Sequence, residues 1–120
     1  MPAKLSTHVL DLTVGRPAAG MKIELFRFDP HPPALGQPTL LRSTVTNADG
    51  RTDAPLLAAE EMSAGTYEIV FHVKDYFIHQ RTDCTFLDRV PIRFVLTDVN
   101  ASYHVPLLVT PWAYNTYRGS

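Results

Sequence analysis

The chain has 120 residues, 45% of them hydrophobic, and a formal net charge of −1. That length suits one domain, residues 1–120, with a core of its own, and the near-neutral balance with no basic cluster excludes a general role on nucleic acid or an anionic membrane surface. One cysteine, Cys84, excludes an internal disulfide and any Cys-based zinc spacing, and with no signal-like start and no apolar run near the roughly 18 residues of a membrane helix, a cytoplasmic protein is expected.

Taken in chain order, Ser6–Thr13 reads as a first strand ended by Gly15-Arg16-Pro17. Met21–Phe28 alternates Met21, Ile23 and Leu25 against Lys22 and Glu24, so one face is buried and the other wet. The prolines of Asp29–Pro38 demand a loop. Leu40–Thr46 is a third strand, Asn47-Ala48-Asp49-Gly50 a turn, and Arg51–Ala54 at most a short strand.

Leu56–Ser63 has helix propensity but is too short to stand alone. Tyr67–Lys74 alternates again, with Tyr67, Ile69, Phe71 and Val73 on one face. Asp75–Arg81 breaks that period and predicts a short helix capped by Asp75. Val90–Leu96, with Pro91 suiting a strand start or an edge, Ala101–Thr110 and Trp112–Tyr117 complete the set, the last two separated by Pro111. The pattern is all-β: a two-sheet β-sandwich of seven to eight strands with one short helix.

The five histidines divide by their company. His31 in the proline-rich loop, His72 on the polar face of its strand and His79 in the short helix read as solvated, and none shows metal-ligand spacing. His8 shares a strand face with Leu10 and Leu12, and His104 one with Ser102, Pro106 and Leu108. Spacing alone leaves both as hydrogen-bonded histidines. Imidazole is nonetheless the side chain that serves as both base and acid near pH 7. Arg51 follows a turn, where an arginine is ordinarily exposed, yet its planar guanidinium can hold an anionic heterocycle through paired hydrogen bonds. The end, Tyr117-Arg118-Gly119-Ser120, gathers a phenol, a guanidinium, a hydroxyl and the terminal carboxylate in one place.

Several pieces stand in order along nearly the whole chain. They are Leu5-Ser6-Thr7-His8-Val9-Leu10-Asp11, Gly15-Arg16-Pro17-Ala18, Thr46-Asn47-Ala48-Asp49-Gly50-Arg51, Gly65-Thr66-Tyr67, Tyr76-Phe77, His104-Val105-Pro106-Leu107-Leu108 with Pro111, and the terminal Tyr117-Arg118-Gly119-Ser120. On these pieces the sequence resembles the 5-hydroxyisourate hydrolases, the enzyme branch of the transthyretin-like family. The resemblance implies a transthyretin-type sandwich, a homotetramer built as a dimer of dimers, and sites in the channel where the dimers meet.

It also implies hydrolysis of 5-hydroxyisourate in urate breakdown with no metal or organic cofactor. The catalytic set it implies is His8, Arg51 and His104, with Tyr117, Arg118, Gly119 and Ser120 joining them in substrate binding. A transthyretin-type carrier, which binds a small ligand without reacting, is the competing expectation. Two departures from the pattern stand out: Phe86-Leu87-Asp88-Arg89-Val90 lacks the Phe-Phe-Pro common before the sixth strand, and Asn115 stands where serine is common.

Overall fold

The computed structural model describes residues 2–28 and 37–119. His31, most of the expected Asp29–Pro38 loop and Ser120 lie outside the described residues. The elements run β1 (Leu5–Ser6), β2 (Val9–Asp11), β3 (Arg16–Pro17), β4 (Lys22–Phe28), β5 (Thr39–Val45), a 3₁₀ turn (Ala59–Glu61), β6 (Gly65–His72), α1 (Val73–His79), β7 (Arg89–Leu96), β8 (Tyr103–His104), β9 (Leu107–Val109) and β10 (Tyr114–Asn115).

The alternating segments build the first sheet, in the order β5-β4-β6-β7. Ile23 lies opposite Phe71 and Leu25 opposite Ile69, so the apolar set of β4 meets that of β6 on one face. Ile23, Leu25, Tyr67, Ile69 and Phe71 are fully buried. Truncating one of the large ones would cost about 3–5 kcal/mol in lost burial and cavity. Pro91 sits in β7, at the edge of the sheet, where its missing N–H breaks no central ladder.

The second layer is β10-β9-β2-β3, continued by the pair β1-β8. Here the predicted strands Ser6–Thr13 and Ala101–Thr110 are each interrupted, where the Thr7 hydroxyl donates to Val105 O at 2.7 Å and the outer neighbour of the first segment changes at Thr7-His8. Leu5 pairs there with Leu57, whereas Val9 receives Gly50 (Val9 N–H to Gly50 O, 2.8 Å). The register does not slip across the breaks: Leu5, Ser6, Val9, Leu10 and Asp11 lie opposite Tyr103, His104, Leu107, Leu108 and Val109, all parallel. Between the paired strands, Val105 N–H donates to Ser6 O and Leu107 N–H to His8 O, both at 2.9 Å. Joined in this way, the ten segments become eight strands; seven were foreseen as strands, and the eighth is β3, where Gly15-Arg16-Pro17 was expected only to end the first strand, not the short strand allowed at Arg51–Ala54.

Three local expectations change. Arg51–Ala54 forms no strand, and Leu56–Ser63 yields only the 3₁₀ turn, because Leu56 and Leu57 are buried and hydrogen-bonded to Leu5. α1 begins at Val73, so Asp75 stands in its first turn and not at its cap, still a favourable place for negative charge. The helix ends where Arg81 turns into the left-handed region (φ 57°) and Thr82 N–H reaches back to Phe77 O at 2.9 Å. α1 is tied to the second sheet by the buried Tyr76 hydroxyl, which donates to Asp11 Oδ2 at 2.7 Å.

His72 overturns its surface reading. It lies on the outer face of β6 but is only 4% exposed, because α1 starts over it and Glu24 of β4 stands beside it. Its Nε2 is 2.6 Å from Glu24 Oε1. That hydrogen bond, then the neighbouring charges of His72, Lys22 and Arg89, hold the Glu24 carboxyl below its ordinary value against the opposing effect of burial. A carboxyl depressed by folding contributes stability that is present above its ordinary pKa and lost as pH falls through the folded value. Glu24→Ala strands the buried imidazole. It should cost about 1–3 kcal/mol at neutral pH and flatten the loss of stability below about pH 4.5, as read by urea denaturation at two pH values.

Candidate active site

The parallel register decides which side chains share a face. Leu5, Thr7, Val9 and Asp11 point into the core, as do Tyr103, Val105, Leu107 and Val109. Ser6, His8 and Leu10 therefore face outward, beside His104, Pro106 and Leu108. Ser6 lies directly opposite His104, which makes His8 and His104 diagonal neighbours on the outer surface of the second sheet. His8 thus does share a face with Leu10 and Leu12, but that face is the outer one, with Leu12 51% exposed.

Each histidine has a distinct hydrogen-bond setting. His8 Nε2 is 2.8 Å from the backbone oxygen of Asp49. A carbonyl only accepts, so in the neutral ring Nε2 carries the proton and Nδ1 the lone pair. His104 Nδ1 is 2.9 Å from Ser6 Oγ, a hydroxyl that can donate or accept. Burial, first, and then the nearby charges of Arg51, His8 and Lys4 push the His104 pKa below its ordinary value. Burial and the neighbouring cations alike favour the neutral form of the His104 imidazole. The same influences place Arg51 and His8 in its electrostatic surroundings.

Arg51 reaches this neighbourhood through the turn that precedes it. Gly50 has φ +75°, and a Cβ there would stand 2.3 Å from Val9 O, so only glycine lets the turn lie this close against β2. A hollow of about 170 Å³ opens beside it, with Lys4, Ser6, Thr7 and Arg51 among its walls.

The chain end divides. Gly119 pairs with His104 through both backbone groups, donating to His104 O at 2.7 Å and accepting from His104 N–H at 3.3 Å. A Cβ on Gly119 would lie 3.1 Å from His104 Cδ2 and 3.2 Å from its Cβ. Glycine therefore permits the tail to lie flat on the imidazole. Arg118 turns the other way: its guanidinium stacks 4.3 Å from the Tyr103 ring centre and donates to Ser102 O at 3.2 Å. Tyr117 and Arg118 line a separate hollow of about 270 Å³ against Phe94, Val95 and Val105.

Of the residues singled out in the sequence, His8, Arg51, His104 and Gly119 come together; Tyr117 and Arg118 point elsewhere within this one chain, and Ser120 lies outside the described residues. Ser6, Lys4 and the Asp49 carbonyl were missed. Only the pairing of two segments far apart in the chain reveals them. Among the described residues no three His, Cys, Asp or Glu side chains converge as metal ligands.

Fold and site together define a transthyretin-type β-sandwich that carries two histidines on the outer face of one sheet, with an arginine on the turn bonded to that sheet. The chain belongs to the HIUase/Transthyretin family, whose profile matches residues 5–119. It is 49% identical over 119 residues to the 5-hydroxyisourate hydrolase of Deinococcus radiodurans, spanning 97% of this chain and 95% of that one. The structure of Klebsiella pneumoniae 5-hydroxyisourate hydrolase superposes with a TM-score of 0.79 at 35% identity, covering 98% of this chain and 100% of that one. Sea bream transthyretin in complex with thyroxine superposes with a TM-score of 0.86 at 24% identity, covering 98% and 95%. That last likeness concerns the fold alone.

If the Arg51 cation helps hold His104 neutral, Arg51→Met should raise the His104 pKa, since removing a nearby positive charge makes the imidazolium less costly. The rise should stop short of the ordinary histidine value of about 6.5, because burial remains. An NMR titration of the histidine ring protons reads the shift directly, and an unmoved or lowered His104 pKa contradicts the electrostatic picture.

Proposed function

We propose that this chain is a single-domain 5-hydroxyisourate hydrolase of urate degradation, working in the cytoplasm. The observation that carries the proposal is the placement of His8 and His104 as diagonal neighbours on one face, with the Arg51 charge acting on His104. Relatives with that activity in their names, matched over nearly their whole length, support it.

The reaction needs water, a base and a group to oppose developing charge. A neutral histidine takes a proton from water, and the resulting hydroxide adds to the carbonyl of the six-membered ring. Arg51 faces the oxyanion that forms; one well-placed donor is worth about 10²–10³ in rate. Collapse of the tetrahedral intermediate breaks the ring C–N bond, and the histidinium returns its proton to the departing nitrogen. Water is consumed and the product is 5-hydroxy-2-oxo-4-ureido-2,5-dihydro-1H-imidazole-5-carboxylate. Gly119 holds the tail against His104, and Tyr117, Arg118 and Ser120 complete the substrate contacts.

Those contacts make most sense in a homotetramer, a dimer of dimers with the site in the channel between dimers. The outer face that bears His8 also bears exposed Leu12, and Trp112 and Tyr114 are exposed nearby on the β9–β10 connection and β10. Large apolar side chains left open in this way are typical of subunit contacts. Sedimentation at micromolar concentration should show one tetrameric species, and an active stable monomer would remove the channel from the reading.

The activity test adds purified protein to 5-hydroxyisourate freshly made from urate and follows ultraviolet decay against buffer. His8→Ala, His104→Ala and Arg51→Ala should each lower turnover, by about 10²-fold or more for the histidine that acts as base. His79→Ala, at the exposed end of α1, is the control; His72→Ala is unsuitable because it breaks a buried pair. Deleting residues 117–120 should remove most activity at nearly unchanged melting temperature. Decay no faster than in buffer would favour the carrier reading.

A further inference from the structure

We propose that Asn47 is a positioning residue for the site, resting on the hydrolase reading above: its side chain sets the turn that hands His8 a carbonyl partner and delivers Arg51. The turn Asn47–Arg51 is closed by five hydrogen bonds, and every one of them ends on Asn47. The backbone supplies two, Asn47 N–H to Arg51 O at 2.8 Å and Gly50 N–H to Asn47 O at 2.9 Å. The carboxamide supplies three. Oδ1 accepts from the N–H groups of Asp49 at 2.9 Å and Arg51 at 3.2 Å, while Nδ2 donates to Asp53 Oδ1 at 3.0 Å. Two donors on one side and a carboxylate on the other satisfy the amide in only one orientation.

The output of this turn is delivered through its successive residues. Asp49 presents its carbonyl to His8 Nε2, Gly50 its carbonyl to Val9 N–H, and Arg51, whose charge acts on His104, follows directly. A backbone oxygen in that position forces neutral His8 into the Nε2–H tautomer and leaves Nδ1 as the basic nitrogen. The Gly50 contact locks the turn to β2, the strand that follows His8, so imidazole and carbonyl are positioned by the same small unit. Asn47 touches neither histidine. Its influence is on which ring nitrogen can take a proton and on where the guanidinium stands.

The chemistry of the three side-chain bonds suggests a decisive set of variants. Asn47→Ala removes all three. Asn47→Asp keeps the two acceptor bonds but sets a carboxylate against Asp53. Combining Asn47→Asp with Asp53→Asn exchanges the roles: the amide now at position 53 donates to the carboxylate now at position 47, and all three bonds return at unchanged net charge.

Two readouts are taken on the full-length protein: the His8 tautomer, from long-range nitrogen–proton correlation spectra of the imidazoles above the histidine pKa, and kcat and KM for 5-hydroxyisourate. In the wild type neutral His8 should be protonated at Nε2. In Asn47→Ala it should become a mixture of tautomers and kcat should fall by about 10–10²-fold, the scale of a catalytic group displaced by an ångström or less. The exchanged pair should recover the single tautomer and most of the lost kcat, with Asn47→Asp between the extremes. Retention of the Nε2–H tautomer at full kcat in Asn47→Ala overturns the proposal, and so does an exchanged pair that recovers neither readout. If the wild type does not accelerate hydrolysis at all, the hydrolase reading fails, and the tautomer spectra alone then decide whether Asn47 positions His8.

Discussion

The structure depends on one constraint: the parallel register that joins Leu5–Asp11 to Tyr103–Val109 without a slip. Parallel pairing of segments so far apart cannot be made by a local hairpin; it forms only when both ends of the chain return to the same layer. Once formed, alternation assigns every side chain on both segments. The inner set seals the core against β4 and β6, and the outer set brings Ser6, His8 and His104 together. A shift of one residue would bury the histidines and expose Leu5 and Val9, so the stability of the sandwich and the geometry of the site are defended by the same register.

The interruption in that pairing is where the site acquires its polar partners. At the break Val105 O accepts from the Thr7 hydroxyl at 2.7 Å, and on the far side of the first segment the neighbour changes from the 56–57 segment to Gly50 at His8. The gap lets a turn from elsewhere in the chain approach β2 closely enough to offer a carbonyl to an imidazole. A continuous antiparallel neighbour would have used those backbone groups for itself. Precision in the site therefore comes from rigid strands on one side and a heavily bonded turn on the other. No long mobile loop among the described residues is required to assemble it.

The sandwich was legible from β4 and β6, because strict alternation there reports a half-buried strand whatever its partners are. Seven of the joined strands were legible too, but β3 and the breaks at Thr7-His8 and Val105-Pro106 were not, since they depend on which neighbour each segment meets. His72 shows the limit of alternation: it names a face, and the face is wet only if nothing covers it. Glu24 and the start of α1 cover it, and neither is implied by the local pattern. His8, Arg51 and His104 were singled out by resemblance, and their proximity is supplied by pairing and by the Gly50 contact. The opposite directions of Arg118 and Gly119 follow from the Tyr103 ring and the bare backbone on His104, and nothing in the terminal tetrapeptide announces them.

The same sandwich serves transthyretin in complex with thyroxine, so what separates catalysis from carriage must lie in side chains on the outer face. A binding wall needs shape and a few satisfied polar groups. It gains nothing from a partly buried imidazole held neutral beside a guanidinium and a lysine, since that arrangement carries an electrostatic cost whenever the ring is protonated. Nor does it need a turn that spends five hydrogen bonds to aim one carbonyl at His8 and one cation past it. On the proposed reading both serve a general base, the first at His104 and the second at His8. Its lone pair must be available at working pH, and its tautomer must be settled before the substrate arrives, because reorientation during the reaction adds to the barrier. On that reading the features of this face, a depressed pKa at His104 and a fixed tautomer at His8, serve a pair of histidines of which one accepts the proton.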